Sequence, residues 1–313
     1  MGNLTNLSDV PLKIGLALGG GGARGLAHIG VLKVLQSDHF PFHCIVGSSM
    51  GAIVGGLFSR FGSAQAVEEK VVRFFESPLF KHIGLQAFAK TENESPHDRL
   101  DHVLTNLKLR LSFMRVFRQP SLLSEGEVQE MFTSQMDDTP LETLPLRFGA
   151  VATDLLSGRE IVLWQGSFLR ALQASSAIPG IFPPVKHNGY LLIDGGASDS
   201  IPVEVVDHLG ADLVIGINVT KCIRQRPKLT NALRILYRAD EIATWHLTQE
   251  RLRAADFVVK PRVNRISWAN FKRYRDIIRR GEEAAREALP HLWTLLEKKT
   301  LDKQNGILDR VVD

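Results

Sequence analysis

Residues 14–51 read IGLALGGGGARGLAHIGVLKVLQSDHFPFHCIVGSSMG. The apolar run Ile14–Leu18 ends in four glycines and reads as a buried strand. Ala23–Leu35 then places Leu26, Ile29, Val31, Leu32 and Leu35 near helical spacing. Phe42–Val46 is a second apolar run, and Met50–Arg60 a second helical stretch. Strand, glycine turn and helix, written twice, predict parallel strands with helices packed on the sheet faces.

The same rhythm extends outward. A third helix is expected at Ala64–Glu76. Further strands are expected at Leu146–Thr153, Glu160–Trp164, Tyr190–Ile193, Asp212–Val219 and Phe257–Lys260. Helices are expected at Ser167–Ser175, from about Leu229 to Ala254, and near Asn270–Leu289. The last of these puts Phe271, Tyr274, Ile277, Ile278 and Ala285 on one side. The tail after Lys299 is expected to fray. Residues 78–138 break the pattern and read as a helical insert. Within it, Leu104–Arg118 interleaves Lys108, Arg110, Arg115 and Arg118 with apolar residues and no acid. That stretch reads either as a surface helix with solvated arginines or as a lid or lipid-facing helix. No repeat or long linker divides the chain, so the expectation is one α/β domain over residues 1–313. Its motif core covers about 14–219, and C-terminal helices cover about 229–299.

Composition narrows the function classes. The 313 residues carry 38 Lys+Arg against 34 Asp+Glu, a formal charge of +4. That balance does not describe a nucleic-acid binder, which needs basic clustering, but it tolerates an anionic membrane surface. Area scaling lets a chain of this length bury about three quarters of its unfolded surface, enough for a large core without disulfides. Cys44 and Cys222 form neither a disulfide framework nor a CxxC metal site, which points to a reducing compartment. The N-terminus shows no apolar signal region, and its Met-Gly start lacks the Ser or Thr of a myristoylation pattern. No run of about 18–20 apolar residues is present. The expected location is the cytoplasm, with peripheral contact at the inner membrane face open.

Four local signals carry chemistry. Gly19–Gly25 (GGGGARG) lies between a strand and a helix, where clustered backbone N–H groups and the helix N-terminus favour an anion. Gly20, Gly22 and Gly25 also fit a dinucleotide fingerprint, but the second strand runs into Gly47-Ser48-Ser49 with no acid for a ribose. The loop also lacks the Gly-Lys-Ser/Thr of a P-loop. Gly47-Ser48-Ser49-Met50-Gly51 fits G-x-S-x-G between strand and helix, a sharp turn that lifts Ser49 Oγ above the sheet edge. Asp194-Gly195-Gly196 follows the strand YLLI; if that strand runs parallel to the first two, Asp194 arrives beside Ser49. Ala174–Pro179 (ASSAIP) reads as a helix end entering a proline turn. A serine hydrolase ordinarily takes histidine as its base, and the chain order Ser, acid, His would nominate His208. His208 falls in a helical segment, however, and His28, His39, His43, His187, His246 and His291 are no better placed. Asp154, Asp199, Glu204 and Asp207 are rival bases by position.

Together the four signals resemble the patatin-like phospholipase family. The resemblance rests on GGGARG at Gly20–Gly25, GSSMG around Ser49, the ASSAIP block and the DGG block at Asp194–Gly196, in that order and spacing. ATDLLSG at Ala152–Gly158 is similar to bacterial single-domain relatives of neuropathy target esterase. The resemblance implies a three-layer α/β/α fold with a mostly parallel central sheet. It implies a Ser49–Asp194 dyad without histidine, with Gly20, Gly21 and Gly22 as oxyanion-hole donors and Arg24 fixing the loop or adding positive charge. The implied substrate is a phospholipid or lysophospholipid ester, cleaved with no metal or cofactor and no nucleic-acid partner. The alternative is a non-catalytic lipid- or protein-binding regulator on the same scaffold. A homodimer through the motif-free helices is also open.

Overall fold

Strand β1 (Ile14–Leu18) alternates its side chains between two buried faces, as do β2 (Cys44–Ser48) and β3 (Arg147–Asp154). Leu16, Leu18, Ile45 and Phe148 share one apolar cluster, whereas Ala17, Val46 and Val151 share another. Helices must therefore cover both sides of the sheet. The computed structural model describes residues 12–77, 80, 121–134, 136–223 and 232–312. The N-terminal eleven residues and most of the expected insert, including Leu104–Arg118, lie outside the described residues.

On the first face lie α1 (Ala27–Ser37), α2 (Met50–Phe61) and α3 (Ala64–Glu76), which bury Ile29, Leu32, Leu57 and Val67 in the larger cluster. The short helices α4 (Glu125–Thr133) and α5 (Phe168–Ser175) pack at its margin through Val128 and Phe168. Serine caps start three of these helices: Ser63, Ser124 and Ser167 each accept a first-turn N–H. The second face is covered by α6 (Val203–His208), whose Val203, Val205 and Val206 join the smaller cluster.

The remaining strands are β4 (Glu160–Leu163), β5 (Val185–His187), β6 (Tyr190–Asp194), β7 (Leu213–Ile217) and β8 (Phe257–Val259). Helix α7 (Ala232–Arg251) connects β7 to β8, and α8 (Tyr274–Val312) closes the chain. The sheet order is β5-β6-β3-β2-β1-β7-β8, with β4 also paired to β3. β3, β2, β1, β7 and β8 run parallel, while β4 and β6 are antiparallel to β3 and β5 is antiparallel to β6. This is the expected three-layer, mostly parallel α/β architecture.

Several local expectations shift. The first helical stretch begins as a 3-10 turn over Gly22–Leu26 and becomes α-helical only at Ala27. β2 extends to Ser48 rather than stopping at Val46, because Gly47 and Ser48 stay in register with Ala150 and Val151 of β3. Strand pairing overrides the weak β preference of Gly and Ser there. β5 was not expected from the proline-rich segment before it. Asn188 and Gly189 join it to β6 with φ of 46° and 85°, the two left-handed residues of a tight hairpin turn. The tail after Lys299 does not fray: α8 runs on to Val312, with Lys299 paired to Asp256 at 2.8 Å and Lys303 to Asp212 at 2.7 Å. Its Phe271-side residues Ile277, Ile278 and Ala285 are buried, as the spacing predicts.

Candidate active site

β2 delivers Ser49 into a turn so tight that its backbone takes φ 55° and ψ −122°, a strained conformation for a residue with a side chain. The flanking glycines make this turn geometrically feasible. A Cβ on Gly51 would lie 2.1 Å from the Leu18 carbonyl oxygen, and one on Gly47 would lie 2.4 Å from the Gly51 carbonyl. Ser49 then stands at the N-terminus of α2, where the Met50 N–H finds no acceptor among the described residues.

Asp194 reaches the same spot by an unexpected route. β6 is antiparallel to β3, and therefore to β1 and β2, so the parallel orientation considered for YLLI is corrected. Tyr190 starts beyond the carboxyl end of β3, and the strand travels inward until Asp194 pairs with Ala152. An antiparallel strand entering from that edge places its last residue where a parallel one would have placed its end. Ser49 Oγ donates a 2.6 Å hydrogen bond to Asp194 Oδ2. Gly196 N–H donates to Asp194 Oδ1 at 2.8 Å. Burial pushes the Asp194 carboxyl up to about 6, partly offset by these two bonds.

The ASSAIP block, structural when read alone, turns out to bridge the pair. Ser175 Oγ accepts the Ser49 N–H at 3.0 Å and donates to the Val151 carbonyl at 2.6 Å. Two residues on, the Ala177 carbonyl accepts the Asp194 N–H at 3.0 Å. Thr153 Oγ1 donates to the Asp194 carbonyl at 3.2 Å. Ser175 and Thr153 were not singled out from sequence. The motif block itself was the signal for Ser175, whereas Thr153 emerges only once β3 and β6 are paired.

The glycine loop is held from several sides. The Gly20 N–H donates to the Ser200 carbonyl at 2.8 Å. That bond removes Gly20 from the expected oxyanion donors, since its N–H is already engaged. Gly21 and Gly22 N–H groups meet no acceptor among the described residues. Arg24 is buried and donates through Nε to the Val219 carbonyl at 3.1 Å and through Nη1 to the Ile266 carbonyl at 3.3 Å, so it fixes the loop. His28 Nε2 lies 2.7 Å from the Gly19 carbonyl. A carbonyl only accepts, so this nitrogen carries the hydrogen. Burial lowers the His28 pKa to about 4, and the ring is a neutral strut under the loop.

The other candidates do not reach Ser49. Asp154 accepts from Ser157 Oγ at 2.6 Å and Leu191 N–H at 2.9 Å, bonds that hold its carboxyl below the usual range. It ties the β3–β4 turn to β6. Asp199 accepts the Ile201 N–H at 3.0 Å, and burial followed by the nearby Glu160 raises it to about 7. Glu204 pairs with Arg251, and Asp207 is exposed. His208 is exposed, with Nδ1 2.7 Å from the Glu204 carbonyl of its own helix. Among the described residues, no cluster of three or more His, Cys, Asp or Glu side chains is placed to hold a metal ion.

Ser49 and Asp194 open into a cavity of about 180 Å³. Gly20, Gly21 and Arg24 form one wall; Lys221, Arg238, Glu241 and Trp245 form the other. Glu241 bridges the two cations of that second wall, 3.1 Å from Lys221 and 2.9 Å from Arg238.

Residues 16–207 match the family model for patatin-like phospholipases, well over half of the chain. An uncharacterized NTE family protein of Mycobacterium bovis is 33% identical over 207 residues, covering 66% of this chain and 49% of that protein. The patatin-like phospholipase domain-containing protein 7 of Mus musculus is 29% identical over 240 residues, 76% of this chain and 15% of that one. A protein of Yarrowia lipolytica named lysophospholipase NTE1 is 26% identical over 206 residues, 66% of this chain and 12% of that one. The chain thus spans half or less of the length of these relatives. Among solved structures, VipD from Legionella pneumophila superposes with a TM-score of 0.49 at 14% identity, over 90% of this chain and 67% of that one. The chain belongs to the patatin-like phospholipase family.

Proposed function

We propose that the protein is a serine acyl-hydrolase that cleaves fatty acyl esters of phospholipids or lysophospholipids through Ser49 and Asp194. The 2.6 Å hydrogen bond from a strained, cavity-facing serine to a buried carboxylate carries the reading. Family membership supports a lipid hydrolase in general, and a relative named lysophospholipase supports the substrate class.

A serine hydroxyl is a weak nucleophile until an adjacent base takes its proton. A carboxyl near pKa 6 accepts that proton more readily than one near 3.8, yet remains mostly ionised at neutral pH. In the first half-reaction the Ser49 proton passes to Asp194 Oδ2 as Oγ bonds to the ester carbon. The tetrahedral oxyanion faces the glycine loop, with the Gly21 N–H as principal donor and the Gly22 and Met50 N–H groups within the same strand-end region. Removing one such donor typically costs about 2.7–4 kcal/mol of barrier stabilisation. The ester C–O bond then breaks, and Asp194 returns its proton to the departing alkoxide. Water repeats the sequence on the acyl-serine: its proton goes to Asp194, its oxygen to the acyl carbon, and Ser49 Oγ leaves and is reprotonated. The products are a fatty acid and a lipid alcohol.

Release of fatty acid from lysophosphatidylcholine and phosphatidylcholine, measured by mass spectrometry, tests this. The parent protein should release acid from at least one of them, and Ser49→Ala and Asp194→Asn should each abolish release while keeping the parent circular dichroism spectrum. Full release by Ser49→Ala would exclude the mechanism. A folded parent protein inert on every acyl ester would favour a binding regulator instead.

A further inference from the structure

Asp199 is a completely buried carboxyl that the proposed mechanism does not use, and it links the two halves of the site. On one side its N–H donates to the Gly195 carbonyl at 2.8 Å. Gly195 lies between Asp194 and the Gly196 N–H that bonds the Asp194 carboxyl. On the other side comes Ser200, whose carbonyl holds the Gly20 N–H of the glycine loop at 2.8 Å. Helix α7 braces that point: it leaves Ile235, Leu236 and Ile242 exposed on its outer face, and the buried Thr248 Oγ1 lies 2.5 Å from Ser200 Oγ.

Hydrogen bonds leave this carboxyl half satisfied. Oδ1 accepts the Ile201 N–H at 3.0 Å, whereas Oδ2 is buried with no partner among the described residues. The charges around it do not compensate a negative charge. Glu160 comes from β4, Glu204 from α6 and Arg251 from the end of α7. The Arg251 guanidinium is bonded to Glu204 and lies 3.7 Å from Glu160, so two carboxylates already share the one cation. His208 is exposed on α6 and acts on Glu160, and the Asp194 carboxyl is engaged by Ser49 and Gly196. An ionised Asp199 would add a third negative charge, on a buried oxygen with no donor. Burial, followed by Glu160, accordingly raises the Asp199 carboxyl to about 7.

We propose that Asp199 is a positioning residue that serves the site in its protonated form, so that one buried proton sets the spacing between the Asp194 turn and the glycine loop. When that proton leaves to solvent, the carboxylate needs a donor for Oδ2, and the turn has to move to bring one. Gly195 cannot yield. A Cβ there would lie 2.3 Å from the Val151 carbonyl oxygen and 2.7 Å from Ser48 Oγ, so the turn is already pressed against β3 and β2. The displacement therefore passes to Ser200 and, through its carbonyl, to Gly20 and the loop. The role, though not the proton, rests on the reading of Ser49 and Asp194 as a hydrolase site.

The pH profile of kcat/KM on a soluble short-chain ester, measured with the full chain, tests this. The parent rate should rise through about pH 6 as Asp194 ionises. Above about pH 7 it should fall, approaching about tenfold per pH unit, as Asp199 ionises. Asp199→Asn stays uncharged and keeps an oxygen for the Ile201 N–H, so it should lack the alkaline fall. Two neighbours should move that fall in opposite directions: Glu160→Gln to lower pH and Arg251→Gln to higher pH. A purely structural role would produce neither shift, and both remain readable if Asp199→Asn fails to fold. Infrared spectroscopy of Asp194→Asn should show a protonated-carboxyl band that is lost with a midpoint near pH 7 and is missing when Asp199→Asn is added. That band needs no turnover. A folded parent inert on every ester would defeat the hydrolase reading alone, and the band would then decide whether Asp199 holds the proton. A parent profile flat from about pH 7 to 9, an alkaline fall retained in Asp199→Asn, or absence of the band would overturn the proposal.

Discussion

Ser49 and Asp194, the proposed nucleophile and base, are held by different kinds of structure. Ser49 sits in the parallel half of the sheet, and its position is fixed locally by a strand, two glycines and a helix within a few residues. Asp194 comes from the antiparallel margin and is fixed at a distance. Its backbone is bonded to Ala177, its carbonyl to Thr153, and its strand to β3. Backbone compression makes the serine side intolerant of change, whereas the aspartate side depends on hydrogen bonds that can be removed singly. The ASSAIP block joins the two halves, since Ser175 Oγ accepts the Ser49 N–H and the Ala177 carbonyl accepts the Asp194 N–H.

Substitutions should separate the halves. The largest effects fall on the reacting groups: Ser49→Ala and Asp194→Asn should each lower kcat/KM by about 10⁴-fold or more, and the pair together little further, because they act as a unit. Next comes the elbow. Gly51→Ala would force a Cβ to within 2.1 Å of the Leu18 carbonyl oxygen, so it should cost over about 4 kcal/mol or prevent folding, read by thermal denaturation. Ser175→Ala should be milder. It leaves one buried N–H and one carbonyl unpaired, about 1–3 kcal/mol, and should lower kcat about tenfold or more with KM little changed. Retained kcat there would mean the elbow needs no clamp from the ASSAIP block.

The smallest effect is a pH dependence of stability. The native Asp194 carboxyl titrates near 6, above its unfolded value near 3.8, so the folded state holds the proton more tightly. Stability attributable to Asp194 therefore falls as pH rises from about 4 to 6 and stays lower above that. Asp194→Asn removes this loss: its stability relative to the parent should grow across that window and level off at about 1–3 kcal/mol. His28, depressed to about 4, acts in the opposite direction, and Asp199, raised to about 7, in the same one. Both cancel in the difference between variant and parent. A flat difference would mean that the native carboxyl is not raised.

The parallel half was legible because its signals are short-range. Ile14–Leu18, the glycine loop and G-x-S-x-G announce a strand, a glycine turn and a sharp strand-to-helix turn in adjacent residues, and Ser49 stands where they predict. The antiparallel margin was harder to read. The direction of YLLI depends on what β6 pairs with, and no local pattern in Tyr190–Asp194 encodes that. The Asn188-Gly189 pair was the available clue, since two left-handed residues between short strands mark a hairpin and hence a reversal before Asp194. Gly20 illustrates a second limit. A glycine-rich run shows that several N–H groups gather, but not that the Ser200 carbonyl, some 180 residues away, claims one of them. The apolar face of α7 was hidden for a related reason: apolar spacing in a helix ordinarily signals core, and only its exposure in the fold shows otherwise.

The central claim is that Asp194 alone activates Ser49. The direct test is the rate of fluorophosphonate labelling as a function of pH, with the modified residue mapped by mass spectrometry. The account predicts an adduct on Ser49, a rate that rises through about pH 6 as Asp194 ionises, and loss of labelling in Asp194→Asn. Labelling of Ser49 at an undiminished rate in Asp194→Asn, or an adduct on a different serine, would contradict it.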